Sequence, residues 1–370
     1  IAVCFILLTS RTFVTFTSAG LENCMLFFSA AVFVQLTYSS EKYQAKKLFF
    51  FAVIAGLTAI TRMDNILIYL PILCWIFFGT GRDEKLIKTV GIGFLGILPF
   101  ILWELFAIIY FGFPFPNTAY NKLGTGITGM QYFQKGLGYF GITALCDCAV
   151  IVIPLIAIFA AFFVKSLRYR LLVSGIFLYI LYVLRIGGDF MLGRHFTVPF
   201  FLAICILIKE KKNIFDITRN KYIKYAFYCV PILLACYSAT AGDVLGKQFL
   251  FNGIHVTKSY IADEREGYFA RTSLINAIIS WKNTGDTDIK KVWDTTAVDA
   301  LIEKGETAAI IGWCPGILKY YYSDLYLNDP FGIGDPLLSH LPVVPVRGND
   351  WRVAHFFRAV PDGYDESIRG

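Results

Sequence analysis

Four short segments concentrate arginines, carboxylates and other residue types that can bind oxyanions and hydroxyl groups. SRTFVTFTSAGLEN (10–23) carries Arg11 and Glu22, and TRMDN (61–65) carries Arg62 and Asp64. FGFPFPNTAYNKLG (111–124) carries Asn117, Tyr120 and Lys122, and RIGGDFMLGRH (185–195) carries Arg185, Asp189, Arg194 and His195. Guanidinium groups hold phosphate oxygens in a planar fork, while ammonium and imidazole groups add point charge or a proton donor. Arg194, His195, Arg62 and Lys122 are therefore the predicted ligands of a phosphate group. Carboxylates bind sugar hydroxyls or deprotonate one, which makes Asp189, Glu22 and Asp64 the acidic candidates, with Asp189 the catalytic one. The adjacent Gly187 and Gly188 let backbone approach a ligand closely. Taken singly, each Arg–Asp pair reads equally well as a structural clamp at a helix end. Four such segments together argue for a site.

The elements that position these residues must be largely apolar. The chain has 370 residues, 56% hydrophobic, 17% aromatic and only 16% charged, with a mean hydropathy of +0.58. A soluble domain carries roughly a quarter charged residues, so lipid is the expected solvent for much of the surface and disorder is excluded. The fold class expected is an α-helical polytopic membrane protein with a small α/β extracytoplasmic C-terminal domain. Apolar stretches at 21–38, 90–111, 144–164, 171–184, 191–208 and 225–239 read as spans, and 48–78, interrupted by TRMDN, reads as a hairpin of two short helices. IAVCFILLTS at the start reads as the end of another apolar helix, with further spans expected before it. Residues 1–241 are thus predicted to hold about eight full spans plus a partial first one, and 242–370 a separate domain.

Charge orients this scaffold. Residues 1–241 carry 21 Lys and Arg against 10 Asp and Glu, whereas 242–370 carry 13 against 17, so the net +7 comes from the apolar part and does not point to a nucleic-acid partner. One set of alternate loops (40–47, 79–88, 165–170 and 209–224) contains fifteen Lys and Arg, and the other set contains six. Positive charge stays cytoplasmic, so the four chemically conspicuous segments and residues 242–370 are predicted on the outer face of a bacterial inner membrane. In the C-terminal part AAIIGW (308–313), PGILKYYY (315–322) and LYLND (325–329) read as strand, helix and strand. It contains one cysteine of nine, Cys314, so no internal disulfide framework is expected there. No phosphate-cradling glycine loop, zinc-binding HExxH, nucleophile elbow or dinucleotide fingerprint is present.

TSAGLEN, LTAITRMDN, YFGFPFPNTAYNKLG, GGDFMLGRH and the C-terminal IGDPLLSHLP with WRVAHFFRAVPDGY resemble the terminal β-arabinofuranosyltransferase family of bacterial cell-wall synthesis. Such proteins are GT-C glycosyltransferases, polytopic enzymes that use polyprenyl-phosphate sugars. The resemblance implies inverting transfer of arabinofuranose or another sugar to a cell-envelope glycan or glycolipid, with the lipid bilayer as a further partner. It implies no nucleotide and no required cofactor; a metal is not indicated. It places Gly188, Asp189, Arg194, His195, Glu22, Arg62, Asp64, Asn117, Tyr120 and Lys122 at a membrane-facing cavity. In that family the general base is expected in a loop after the first span, which here would precede Ile1. Asp189 then orients donor or acceptor; without such a residue it is the base. The chain departs from the family where a Thr or Ser is expected after GLE and a Pro before Asp64. The rival readings are a protein O-mannosyltransferase or lipid A glycosyltransferase of the same type, and a lipid-linked glycan transporter. A transporter requires polar residues within the spans, where Glu104 and Asp147 are the ones present.

Overall fold

A computed structural model gives a mostly helical chain with few strands. It describes residues 2–39, 45–83, 85–217 and 221–240, and in the C-terminal part 250–251, 254–255, 260–265, 268–269, 273–285, 296–304, 309–311, 315–323, 326–346, 351–362 and 364. Of the residues used above, Lys42, Arg219, Cys314 and 308, 312–313 and 325 lie outside that set. The chain divides into two compact units, Ile1–Gly112 with Tyr132–Gly246, and Phe113–Gln131 with Lys247–Gly370. The loop at 113–131 therefore groups with the C-terminal part of the chain.

The helices in chain order are α1 (Ala2–Thr9), α2 (Arg11–Ser18), α3 (Asn23–Tyr38), α4 (Ala45–Thr61), α5 (Ile66–Asp83), α6 (Leu86–Phe111), α7 (Asn117–Tyr120), α8 (Gly129–Cys146), α9 (Cys148–Ala160), α10 (Leu167–Arg185), α11 (Thr197–Lys209), α12 (Lys211–Ile217) and α13 (Lys221–Thr240). Among the described residues Met63–Thr80, Leu86–Phe111 and Leu167–Arg185 are long and apolar enough to cross a membrane. Two bent pairs, α2 with α3 (107°) and α8 with α9 (110°), raise the number to five if each pair is one crossing. At 17 and 13 residues, α4 and α11 are shorter than the roughly 20 that a bilayer core requires. Full-length spans are thus fewer among the described residues than the eight expected from hydropathy. Helix α6 shows what solvent this unit needs: only 11% of its apolar window is buried, and Ile87, Phe94, Leu102 and Ile109 project outward. So much contiguous apolar surface is compatible with hydrocarbon and costly in water.

The breaks between helices matter most to the site. The Ser10 hydroxyl accepts the Phe13 N–H and starts α2, and Gly20, at φ +70°, turns the chain towards α3. Between α4 and α5 the chain breaks at Arg62, which is extended before a single turn of 3₁₀ helix at Met63–Asn65. Helices pack closely through small residues: a Cβ on Gly175 of α10 would lie 1.9 Å from the Ile68 carbonyl oxygen of α5, and one on Gly96 of α6 would lie 2.4 Å from the Ala52 Cβ of α4. Phe33 stacks on Tyr69 at 4.1 Å between centroids, tying α3 to α5.

In the second unit the strands are β1 (Leu250–Phe251), β2 (Ile254–His255), β3 (Ala309–Ile311) and β4 (Tyr326–Asn328), with helices α14 (Leu274–Thr284), α15 (Thr296–Glu303) and α16 (Pro315–Tyr321). β1 and β2 are antiparallel, whereas β3 and β4 pair in parallel with Ala309 opposite Tyr326. The predicted strand, helix and strand thus occur in the expected order as β3, α16 and β4. The α14 helix is capped by the Ser273 hydroxyl and ends at Gly285, where φ is +75°.

Candidate active site

Three breaks of the helical unit bring their charged residues together: the α2–α3 turn supplies Glu22, the α4–α5 turn Arg62 and Asp64, and the α10–α11 loop Asp189, Arg194 and His195. These are alternate connections along the chain, so successive helices return them to one end of the unit. Glu22 Oε1 accepts from Arg62 Nη1 at 2.9 Å and from Arg194 Nη2 at 2.7 Å; Arg194 Nη2 also reaches Oε2 at 2.9 Å. Two guanidinium groups therefore converge on one carboxylate oxygen.

Arg62 also donates from Nε to Asp64 Oδ1 at 2.9 Å. Its Nη2 lies 3.1 Å from both ring nitrogens of His195, a position over the ring face and not in line with either lone pair. The His195 side chain is fully buried, with Nδ1 3.0 Å from the Tyr179 hydroxyl and Nε2 3.8 Å from Asp189 Oδ2. Asp189 Oδ2 is 3.7 Å from Arg194 Nη1, and Oδ1 accepts the Phe190 N–H at 2.8 Å. Three carboxylates thus face two guanidinium groups, with the His195 ring between Arg62 and Asp189.

A ring of uncharged residues fixes this arrangement. Asn23 Nδ2 donates to Thr197 Oγ1, whose hydroxyl donates to the Arg194 carbonyl at 2.8 Å. Asn65 Nδ2 donates to Asp64 Oδ1 at 3.1 Å. The Tyr139 hydroxyl donates to the Met191 carbonyl at 3.0 Å. The close backbone approach expected at Gly188 is made to Tyr139: a Cβ there would lie 2.4 Å from the ring, and φ is +77°. Gly193, at φ +69°, packs against Thr12 and Thr143. Asp147, 1% exposed, accepts the Ser10 hydroxyl at 2.7 Å and the Thr12 N–H at 2.9 Å. This buried acid sits at the 110° bend between α8 and α9, pins the start of α2, and through Thr12 supports the turn that presents Arg194. Among these supporting residues, Asn23 and Asn65 each follow a cluster acid directly, which is the signal that marks them.

The remaining predicted residues lie in the second unit. Asn117 Oδ1 accepts the Ser339 hydroxyl at 3.5 Å, and the Tyr120 and Phe113 rings stack on His340 at 4.2 and 3.9 Å. Lys122 belongs to the same loop. Here the conspicuous polar residues serve the backbone. Asp335 Oδ1 accepts the Leu337 and Leu338 N–H groups, and Oδ2 accepts the Tyr364 hydroxyl. Asp329 likewise holds the Phe331 and Gly334 N–H groups. Arg358, 4% exposed, donates to the Leu341 carbonyl and to Asn121 Oδ1.

Among the described residues no group of three or more His, Cys, Asp or Glu side chains is placed to hold a metal ion. Chemically, the cluster can offer an oxyanion two converging guanidinium groups, with carboxylates alongside to receive a proton or bind hydroxyls. Comparisons of the chain with models of known protein families, with curated proteins and with solved structures find no match.

Proposed function

We propose that the chain is a GT-C-type glycosyltransferase that moves a sugar from a polyprenyl-phosphate donor to a cell-envelope glycan or glycolipid at the outer face of a bacterial inner membrane. In this reading residues 242–370 form an extracytoplasmic α/β domain around the β3–α16–β4 unit. The observation that carries the proposal is the convergence of Arg62 and Arg194 on Glu22 Oε1 at 2.9 and 2.7 Å, at one end of apolar helices. A carboxylate between two guanidinium groups marks a place built for an oxyanion, and a lipid phosphate offers more oxygens and more charge than Glu22 does.

The chemistry is direct displacement at the anomeric carbon. An acceptor hydroxyl oxygen forms the new bond as the bond from that carbon to the phosphate oxygen breaks. The hydroxyl proton passes to a carboxylate, and the polyprenyl phosphate departs with the electron pair. Arg194 and Arg62 stabilise the charge that grows on the leaving phosphate, the kind of preorganised electrostatic term worth roughly 10²- to 10³-fold per donor. Asp189, beside both Arg194 and His195, either takes the proton or orients the reacting group.

The test is transfer from a polyprenyl-phosphoryl arabinofuranose donor by the purified full chain in detergent, read as released polyprenyl phosphate and glycosylated acceptor. Arg194→Ala is expected to lose turnover by about 10²-fold or more, and Asp189→Asn to lose it too, with each variant still eluting as folded protein. Near-normal turnover in both variants overturns the site. Glycosylated product with another polyprenyl-phosphate sugar but not with arabinofuranose would keep the reaction and change the donor.

A further inference from the structure

The helical unit has a second polar feature, at the end opposite the charged cluster. A cleft of about 390 Å³ opens there, and its walls include Trp75 of α5, Ser166 and Arg168 at the start of α10, Lys209 at the end of α11, and Glu210. Helices α3 and α10 each have one end at the cluster and the other near this cleft. With 19 residues, α10 places the two about 28 Å apart, close to the hydrocarbon thickness of a bilayer. The cleft therefore sits at the level of the opposite headgroup layer when α10 crosses a membrane.

Glu210 is the unusual member. It is only 3% exposed, and among the described residues it makes no salt bridge; Asn213 Nδ2 donates to its Oε2. A buried carboxylate with no cation of the described residues within ion-pair distance is costly, and this one lines an open cleft that a cation can enter. Arg168 and Lys209 line the same cleft, with the Lys209 ammonium held by Gln35 Oε1 at 2.7 Å. The start of α10 adds the partial positive charge of a helix N-terminus. One wall thus favours a phosphate and another a cation, while Trp75 supplies the amphipathic ring common at the level of lipid headgroups.

We propose that this cleft binds the headgroup of a phospholipid carrying both a phosphate and a primary ammonium, of the ethanolamine type. Arg168 and Lys209 take the phosphate and Glu210 takes the ammonium. A glycerol headgroup leaves Glu210 without a counter-charge, and a choline headgroup brings charge but no N–H to donate. This assignment is independent of the transferase reading, because none of its residues belongs to the charged cluster.

The test uses the purified full chain in detergent micelles doped with equal amounts of ethanolamine-, glycerol- and choline-headgroup phospholipids of one acyl composition, with retained lipid read by native mass spectrometry. The ethanolamine lipid is expected to be retained about tenfold over the glycerol lipid, since a charge-assisted hydrogen bond is worth roughly 1.5 kcal/mol or more. Glu210→Gln should bring that ratio near one while leaving the protein folded, and Arg168→Gln should lower retention of all three lipids. Equal retention by the unaltered chain, or a preference that survives Glu210→Gln, overturns the proposal. A soluble phosphoethanolamine probe that binds as tightly as the lipid would remove the lipid from it. If Glu210→Gln does not fold, choline against ethanolamine retention in the unaltered chain decides the ammonium half alone.

Discussion

The helical unit and the C-terminal unit carry acids and arginines in motifs of similar prominence, and they use them differently. In the first, Glu22, Asp64, Asp189, Arg62 and Arg194 face one another across three breaks in the helices, ion to ion. In the second, Asp329 and Asp335 accept backbone N–H groups, and the buried Arg358 donates to a carbonyl and an amide oxygen. A carboxylate that caps a turn has done its work once the chain is folded. A carboxylate held between two guanidinium groups keeps in place two cations that an incoming anion can claim. The partner, and not the residue type, separates scaffold from site.

That contrast is open to direct test, because removing the ionic partner should cost more than removing a cap. Glu22→Gln leaves Arg62 and Arg194 facing each other without their shared anion. The cost of breaking such a largely buried pair is about 3 kcal/mol, the low end for ion pairs because Glu22 keeps 21% of its side-chain exposure. Hydrogen exchange resolved by peptide should show this as faster exchange around 19–26, 58–66 and 186–197 with the C-terminal unit unchanged. Unchanged exchange in those three segments would mean that the cluster carries no coupling between the breaks.

The next largest effect is a pH dependence confined to the second unit. His355 is pushed down to about 4 by burial and by the neighbouring Arg352, and its Nδ1 lies 3.0 Å from the Val353 carbonyl. The folded unit therefore prefers neutral His355, whereas the unfolded chain protonates it near pH 6.5. Stability is full above that pH and falls as pH drops from about 6.5 towards 4, by up to about 3 kcal/mol. Following exchange of the 351–362 peptide across that range in the unaltered chain and in His355→Gln checks it. The variant should lose most of the slope; an identical slope in both assigns the pH dependence elsewhere.

Asp335→Asn should cost less, because an amide oxygen still accepts one of the backbone N–H groups. Weakening this cap and the Tyr364 hydrogen bond is worth about 1 to 2 kcal/mol. In the transfer assay its turnover per folded molecule should match that of the unaltered chain, while Arg194→Ala should not. Loss of turnover by Asp335→Asn with unchanged exchange at 333–342 would make it a site residue and erase the distinction between the units.

The sequence makes the convergence of Glu22, Arg62, Asp64, Asp189, Arg194 and His195 readable because charge at the edge of an apolar run is costly and therefore conspicuous. The break at Arg62 and the strand–helix–strand order of 309–328 are readable for similar reasons of pattern. The bend at Asp147 is hidden, since 144–164 has the hydropathy of one continuous span while the chain turns through 110° inside it. The grouping of 113–131 with the C-terminal part is equally hidden, because it rests on long-range pairs such as Arg358 with Asn121. Asn23 and Asn65 were in view beside Glu22 and Asp64, but only their geometry shows that they brace the cluster.

The smallest effect concerns an ion pair that looks like those of the cluster and differs in surroundings. Arg352 Nη2 meets Glu264 Oε1 at 3.3 Å, with side-chain exposures of 23% and 24%. Its side chains are each somewhat more accessible to water than those of the cluster, which puts its worth at about 1 kcal/mol. Glu264→Gln should barely change exchange in the second unit, and the little it does change should vanish in high salt, where exposed charges are screened. The loss caused by Glu22→Gln should persist there, because the cluster is drier and its arginines are shared. If high salt removed both effects equally, the cluster would be an ordinary surface network and its claim to hold an anion would fall with it.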